Sequence, residues 1–373
     1  MKFSIQREVL LKRLQFLLGV VEKRHTMPVL ANILLEVKGT QLKLTATDLE
    51  IELVSTAVLD AGDRAGNIQE GACTIPARKL FDICRSLGEN ALVTFNLDEK
   101  GRPIVLSEKS RFSLVGLPAE SFPAFEGELG KTAINLSQKE LLSLLKKTYF
   151  SMASQDVRYF LNGMLFEVSK DLLRAVATDG HRLAMATQAI SAVNLSTPVQ
   201  VIIPRKAVIE LMRLLQDSED PVKILLGPNR IRVELLDYQF TSKLIDGRYP
   251  DYNRVIPAES KNVLLAEVDD IKRALSRAAI LANEQYRGVR LKLDNNCLQL
   301  SANNPEQEEA QDEVAVSYTG EPIEIGFNVS YLLEVLSSLN KKVKISVLNS
   351  NASALIHDQD NSSCVYVVMP IRL

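Results

Sequence analysis

Apolar positions recur in this chain in two rhythms that alternate along its length. Helical spacing carries Leu10, Leu14, Leu17, Leu18 and Val21 within 7–24, and Leu141, Leu144, Leu145 and Thr148 within 137–150. Each set lines one face of a predicted helix. Four further helices are expected over 76–87, 204–216, 268–282 and 328–342. Ser137 followed by Glu140 reads as a capping box, and Pro76 and Pro204 suit a first helical turn, where a missing N–H costs nothing. Short apolar strands lead into the helices, as in Phe3-Ser-Ile, Ala133-Ile-Asn-Leu and Val263-Leu-Leu-Ala-Glu-Val. Period-two strands fill the remainder, and turns at Lys38-Gly39 and Asp294-Asn-Asn imply antiparallel hairpins.

The pattern occurs three times, with a period of about 130 residues. Leu161-Asn-Gly-Met-Leu-Phe-Glu-Val running to Ala177-Thr-Asp-Gly-His-Arg-Leu-Ala184 is echoed upstream by Ala31-Asn-Ile-Leu-Leu-Glu-Val and Leu44-Thr-Ala-Thr-Asp-Leu-Glu-Ile-Glu. Downstream the echo is Gly288-Val-Arg-Leu-Lys-Leu and Leu300-Ser-Ala-Asn-Asn-Pro-Glu. Each copy reads strand–helix–strands twice over, so each is itself a duplication. The fold class is α+β: three similar domains over 1–131, 132–260 and 261–373, each with antiparallel sheets and two helices on one face. Turn-forming linkers fall near 126–132 and 257–262.

At 373 residues with 46% hydrophobic composition, the chain suits several globular domains. No apolar run approaches the ~20 residues that span a bilayer, and the N-terminus lacks the apolar segment of a signal peptide. Cys73, Cys84, Cys297 and Cys364 are scattered without a CxxC pair, which fits a reducing cytoplasm and no zinc site. The net charge of −2 hides an asymmetry. The six predicted helices hold 19 basic and 8 acidic residues, so they carry +11 and the rest of the chain −13. Solvated helix faces explain any one of these; one sign in all six points to a surface that attracts phosphates. Lys79, Arg102, Lys109 and Arg111 gather in the first copy, and Glu306, Glu308, Glu309, Asp312 and Glu313 in the third. Opposite charges at the two ends of a repeat chain suit a head-to-tail contact that closes into a ring.

Phosphate-loop, dinucleotide and HExxH signatures are absent from the sequence. His25 and His357 lack a ligand partner at useful spacing. Thr178-Asp179-Gly180-His181 offers a hydroxyl, a carboxylate and an imidazole, the residue types of a hydrolase. However, Thr47-Asp48-Leu49-Glu50 fills the same place in the first copy without a histidine, which favours a structural or peptide-binding loop. A repeat-built monomeric scaffold is the other alternative. Neither a metal nor a cofactor is expected.

Several long motifs carry a resemblance: Leu161-Asn-Gly-Met-Leu-Phe-Glu, Ala177-Thr-Asp-Gly-His-Arg-Leu-Ala, Asp246-Gly-Arg-Tyr-Pro-Asp-Tyr-Asn-Arg-Val-Ile-Pro, Ala302-Asn-Asn-Pro-Glu-Gln-Glu-Glu-Ala, Ile325-Gly-Phe-Asn-Val-Ser-Tyr and Tyr366-Val-Val-Met-Pro-Ile-Arg-Leu373. Together they resemble the bacterial DNA polymerase III beta subunit family, the sliding clamps, from end to end. The resemblance implies a non-catalytic, cytoplasmic and nucleoid-associated head-to-tail homodimer whose helices line a hole around duplex DNA of any sequence. It implies as partners the replicative polymerase alpha subunit, the clamp loader delta subunit, other DNA polymerases, and mismatch-repair or ligase proteins. Arg24, Gln155 and Tyr159 are implied to touch DNA, with Phe160 standing where similar proteins often carry a second tyrosine.

The resemblance further implies a peptide pocket between the second and third domains. Leu161, Thr178, Gly180, His181, Arg182 and Leu183 supply one part of it, and Pro250, Arg254 and Val255 another. Val367, Val368, Met369, Pro370, Ile371 and Arg372 complete it, Ile371 replacing the methionine usual in similar chains. Such apolar walls with a few polar groups suit an extended peptide with leucine and aromatic anchors. Phe112, Leu114, Ile280 and Leu281 are implied at the dimer contact, flanked by the charges already named.

Overall fold

The computed structural model describes residues 1–22, 27–59, 68–125, 127, 130, 132–193, 195 and 197–372. Six α-helices lie among them: α1 (Arg7–Val20), α2 (Ala77–Ser86), α3 (Gln138–Lys146), α4 (Arg205–Leu214), α5 (Val268–Ala278) and α6 (Val329–Leu336). Each follows a strand without a loop, so the strand's last residue, such as Gln6 or Glu267, serves as the cap. Pro76 and Pro204 close strands one position before α2 and α4 rather than sitting in the first turn. The predicted stripes are buried: Leu10, Leu14, Leu17 and Val20 in α1, and Ile271, Ala274, Leu275 and Ala278 in α5. Each leucine so covered contributes roughly 2 kcal/mol relative to an exposed one.

The helices are shorter than their periodicity. Val21 turns extended and gives its N–H to Leu17 O, ending α1. Thr148 lies beyond α3, where its buried hydroxyl donates to Leu144 O at 3.0 Å. This shortening corrects the charge reading. The helices hold 14 basic and 7 acidic residues, and α6 holds Glu334 without a basic residue, because Lys341 and Lys342 fall past its end. The positive bias therefore holds in five helices, not six.

The strands pair antiparallel in four sheets. The first runs Lys2–Gln6, Leu92–Leu97, Pro103–Ser107, Ser110–Ser113. The second, of eight strands, runs Gly71–Pro76, Asn32–Lys38, Gln41–Thr47, Ile51–Val58, Tyr238–Lys243, Arg230–Glu234, Pro221–Leu226, Thr132–Ser137. The third, of nine, runs Val199–Pro204, Gly163–Val168, Leu172–Thr178, Arg182–Ala189, Asn361–Val368, Ala354–Asp358, Lys342–Val347, Val263–Glu267, Ser317–Thr319. The fourth runs Glu309–Ala315, Cys297–Asn303, Gly288–Asp294, Ile323–Asn328.

One rule generates this order. Each third of the chain makes two quartets of strands, the last third adding the short Ser317–Thr319 at a sheet edge, and each helix leaves the edge strand of one quartet and delivers the chain to the other. α1 accordingly packs on Lys2–Gln6 and also on Gln41–Thr47 and Ile51–Val58 of the other sheet, and α5 does the same with Val263–Glu267 and Glu309–Ala315. Successive thirds join where the fourth strands of two quartets meet. Ile51–Val58 pairs with Tyr238–Lys243, with Leu53 opposite Phe240; Arg182–Ala189 pairs with Asn361–Val368, with Ala184 opposite Tyr366. The expected hairpins are present: Gly39 has φ 55°, and Asn295 and Asn296 have φ 47° and 61°, as tight two-residue turns require.

By packing, the chain falls into two compact units, Met1–Lys139 with Ile209–Leu244 and Glu140–Val208 with Ile245–Leu373. The central third thus gives one quartet to each unit. Of the linker expected near 126–132, residues 126, 128, 129 and 131 lie outside the described residues.

Candidate functional site

The Thr-Asp loop of the second unit is a repeated hydrogen-bonded device. Thr178 Oγ1 donates to Arg182 O (2.6 Å) and accepts from Gly180 N–H (3.1 Å), while Asp179 Oδ1 accepts from the N–H groups of His181 and Arg182 (2.9 and 3.0 Å). In the other unit, Thr47 Oγ1 donates to Ile51 O (2.8 Å) and accepts from Leu49 N–H (3.0 Å). Asp48 Oδ1 accepts from the N–H groups of Glu50 and Ile51 (2.9 and 2.6 Å). The third copy uses Asn304, whose Oδ1 accepts from Glu308 N–H at 2.9 Å. Gly180 and Leu49 occupy the same left-handed position, at φ 88° and 75°. Leu49 accepts that backbone while packing on the small core of Val29, Leu30 and Phe122.

This chemistry leaves the hydrolase reading without support. The Asp179 carboxylate is turned to the backbone of its own loop and to Arg182 Nε, at 3.1 Å. Burial pushes the Cys73 and Cys84 thiols up to about 12, away from nucleophilic thiolates. Among the described residues, three or more metal-ligating side chains nowhere cluster.

Several of the residues expected to form a peptide pocket meet within the second unit. Leu161, Leu183 and Val367 share one buried cluster with Tyr249 and Tyr252. The strand pairing sets Arg182 opposite Val368 and Leu183 opposite Val367, and Met369 N–H donates to His181 O at 2.9 Å. Tyr249 ties in the third segment, its phenol oxygen accepting the Thr178 N–H at 3.1 Å. Burial holds the Tyr249 phenol above its ordinary range. His181, Pro250, Arg254, Val255 and Arg372 are exposed, and Met369, Pro370 and Ile371 are half-buried. Leu161, Leu183, Val367 and Val368 are 2% exposed or less. They can form only the floor beneath that rim.

Arg182 has a different role from a rim cation. It is 8% exposed. Its guanidinium donates to Asp179, to Glu334 of α6 and to Phe150 O, and it lies 4.3 Å from the Tyr331 ring centroid and 5.5 Å from that of Phe150. The side chain is a keystone joining three segments. Sequence reasoning missed Tyr249, Tyr252 and Glu334; the Tyr-Pro-Asp-Tyr motif was visible, but its tyrosines gave no sign of facing inward.

Three of the four expected DNA-contact positions are among the described residues. Arg24 and His25 lie outside the described residues. Gln155 is exposed at φ 60°, and Tyr159 is 57% exposed, its ring edge-on to Phe160 at 5.7 Å. Phe160 packs on the buried cluster of Leu161, Leu183, Val367, Tyr249 and Tyr252, which accounts for an apolar ring at that place. The loop is pinned by Asp156, which accepts from Arg158 Nη2 (2.8 Å) and Arg158 N–H (2.8 Å); these bonds hold its carboxyl down at about 2. Arg158 Nη2 also reaches Asp179 O at 3.3 Å.

At the chain's charged ends, Lys79, Arg102, Lys109 and Arg111 are exposed, Phe112 half-buried and Leu114 buried, with Val115 beside it 73% exposed. Ile280 is 76% exposed and Leu281 half-buried, and Glu306, Glu308 and Glu309 are exposed. Asp312 is taken up by Arg277, whose Nε donates to it at 2.6 Å and depresses its pKa.

Sequence models of the DNA polymerase III beta subunit match this chain in three places: the N-terminal domain at 1–126, the central domain at 135–251 and the C-terminal domain at 253–372. The beta sliding clamps of Vibrio cholerae and Pseudomonas putida are 49% and 50% identical, over 374 and 380 residues, each aligning along 100% of both chains. A solved Pseudomonas aeruginosa sliding clamp bound to griselimycin superposes with a TM-score of 0.95 at 49% identity, covering 100% of both chains. Fold, repeat and full-length similarity agree, and the chain belongs to the DNA polymerase III beta subunit family, the beta sliding clamps.

Proposed function

We propose that two copies of this chain close head to tail into a ring around duplex DNA, which tethers the replicative polymerase and other replication and repair proteins without catalysing a reaction. The strand order supports this reading. Thirds of the chain are joined by pairing the fourth strands of neighbouring quartets. Under that rule Ser110–Ser113 and Glu309–Ala315 are the two fourth strands left with one neighbour each among the described strands. An exposed edge of that kind is a template for another chain. One edge carries Arg111 beside Lys109, and the other Glu309 and Glu313, so the second copy would be aligned by charge as well as by backbone.

A closed ring holds DNA by topology, so its phosphate contacts need only be weak and salt-sensitive, which permits sliding. Gln155, Tyr159 and Phe160, with Arg24, are the proposed DNA contacts. The exposed rim of His181, Pro250, Arg254, Val255 and Arg372, with half-buried Met369, over a floor of Leu161, Leu183 and Val367 is the proposed peptide pocket. Domain limits near 131 and 260 complete the proposal.

The test combines sizing with DNA retention. Light scattering should give twice the chain mass, and protein loaded on nicked circular DNA should be lost when the circle is linearised. A monomer, or equal retention on circular and linear DNA, overturns the reading.

A further inference from the structure

The turn that carries Pro250, Arg254 and Val255 is held from behind by a polar cluster outside the proposed pocket. Glu167 and Arg174 face each other across neighbouring strands. Arg174 Nη1 donates to Glu167 Oε1 (2.5 Å) and to the Tyr252 phenol oxygen (2.7 Å), and the Tyr252 hydroxyl donates to Glu167 Oε1 (3.0 Å). Gln200 Nε2 donates to Glu167 Oε2 at 2.5 Å. Tyr252 is 3% exposed and opens the short 3-10 turn Tyr252–Arg254. Burial raises its phenol above the ordinary range, so the group stays protonated and keeps donating. A cavity of about 130 Å³ under the turn, lined by Glu167, Gln200, Tyr249 and Asn253 among others, leaves room for the turn to shift if this peg is removed.

A hydrocarbon contact would fill the same space without partly desolvating two charges, a cost that offsets part of their attraction. What the charged cluster adds is direction. The phenol oxygen can lie only where it meets both a donor and an acceptor, which fixes the rotation of the turn relative to the sheet.

We infer that Glu167 and Arg174 are positioning residues for the peptide pocket: acting through Tyr252, they fix the turn that forms one rim and so set the affinity for a leucine- and phenylalanine-containing peptide without touching it. The inference rests on the pocket reading above. The measurement is the Kd of such a peptide for the full-length chain and for four variants: Arg174→Glu, Glu167→Arg, the double exchange and Tyr252→Phe. Each is compared at a temperature where circular dichroism shows it fully folded, so a merely structural role leaves Kd unmoved. The single reversals and Tyr252→Phe should weaken binding about fivefold, and the double exchange should recover most of the loss, as expected for directly coupled groups. Unchanged Kd in the folded single variants, or a double exchange as weak as the singles, overturns the inference. Tyr252→Phe is isosteric and keeps the test open if a reversal does not fold. Leu183→Ala with Met369→Ala is the control: if it binds normally, the pocket itself is misplaced and the inference falls with it, whereas a weakened control beside unaffected Arg174 and Tyr252 variants removes the inference alone.

Discussion

At residue 180 the requirement for glycine comes from the backbone conformation. The φ of 88° disfavours any side chain, and a Cβ there would lie 2.9 Å from the Arg158 guanidinium. Gly180→Ala should cost roughly 1–2 kcal/mol in urea unfolding. Leu49→Ala keeps the same backbone and should lose only its packing. Arg182 is the other informative residue. Arg182→Ala leaves Asp179 Oδ2 and Phe150 O without their side-chain donor, an expected loss on the order of 3 kcal/mol. Glu334→Gln touches a half-exposed partner and should cost below about 1 kcal/mol. Equal losses for the two would show that Arg182 is not the keystone. Acid tests Asp156. Its bonds to Arg158 hold its folded pKa at about 2, below the ordinary value of about 3.9. This contribution is present above about pH 4 and disappears as pH falls through the folded value. A carboxyl carbon titration by NMR should give a midpoint near 2 for Asp156; a midpoint near 4 would mean the loop is not pinned. The sequence identified Gly180 and Asp179 through their repeat position. It did not show that Arg182 is buried, because an arginine beside an exposed loop looks the same on the page whichever way its side chain turns.

The repeated elements were legible because each copy prints the same alternation. Strands, hairpin turns and six helices follow from period-two and period-3.6 runs that tertiary packing merely reinforces. Helix ends were not legible. Apolar spacing continues past Val20 and Lys146, yet Val21 is extended and Thr148 lies beyond α3, ends that periodicity alone does not mark. The charge of α6 was misread for the same reason. Within the elements, the Thr-Asp loop offers a direct comparison between copies. Asp48→Ala removes the acceptor for two N–H groups, Glu50 and Ile51, and should destabilise by about 2 kcal/mol, with Asp48→Asn recovering part of it. Urea unfolding should show a larger loss for Asp179→Ala, which also strips the buried Arg182 of a partner, than for Asp48→Ala; an unaffected Asp48→Ala would mean the loop's bonds are replaced by water.

Across the whole molecule, the charged ends were visible in the sequence but their strands' unfilled edges were not, since edge and interior strands share the same alternation. Reversing Lys109 and Arg111 to Glu should raise the dimer dissociation constant at least tenfold at low salt, with the effect shrinking as salt screens the charges; sedimentation equilibrium at two ionic strengths decides it. The order of the strands also has a consequence for dissection. Residues 132–260 are not self-sufficient, because Tyr238–Lys243 is hydrogen-bonded to Ile51–Val58 and Arg182–Ala189 to Asn361–Val368. Excised, that fragment would carry two raw sheet margins facing water, each lined with unsatisfied amides. It should stack on copies of itself into open fibrils rather than survive as a soluble piece.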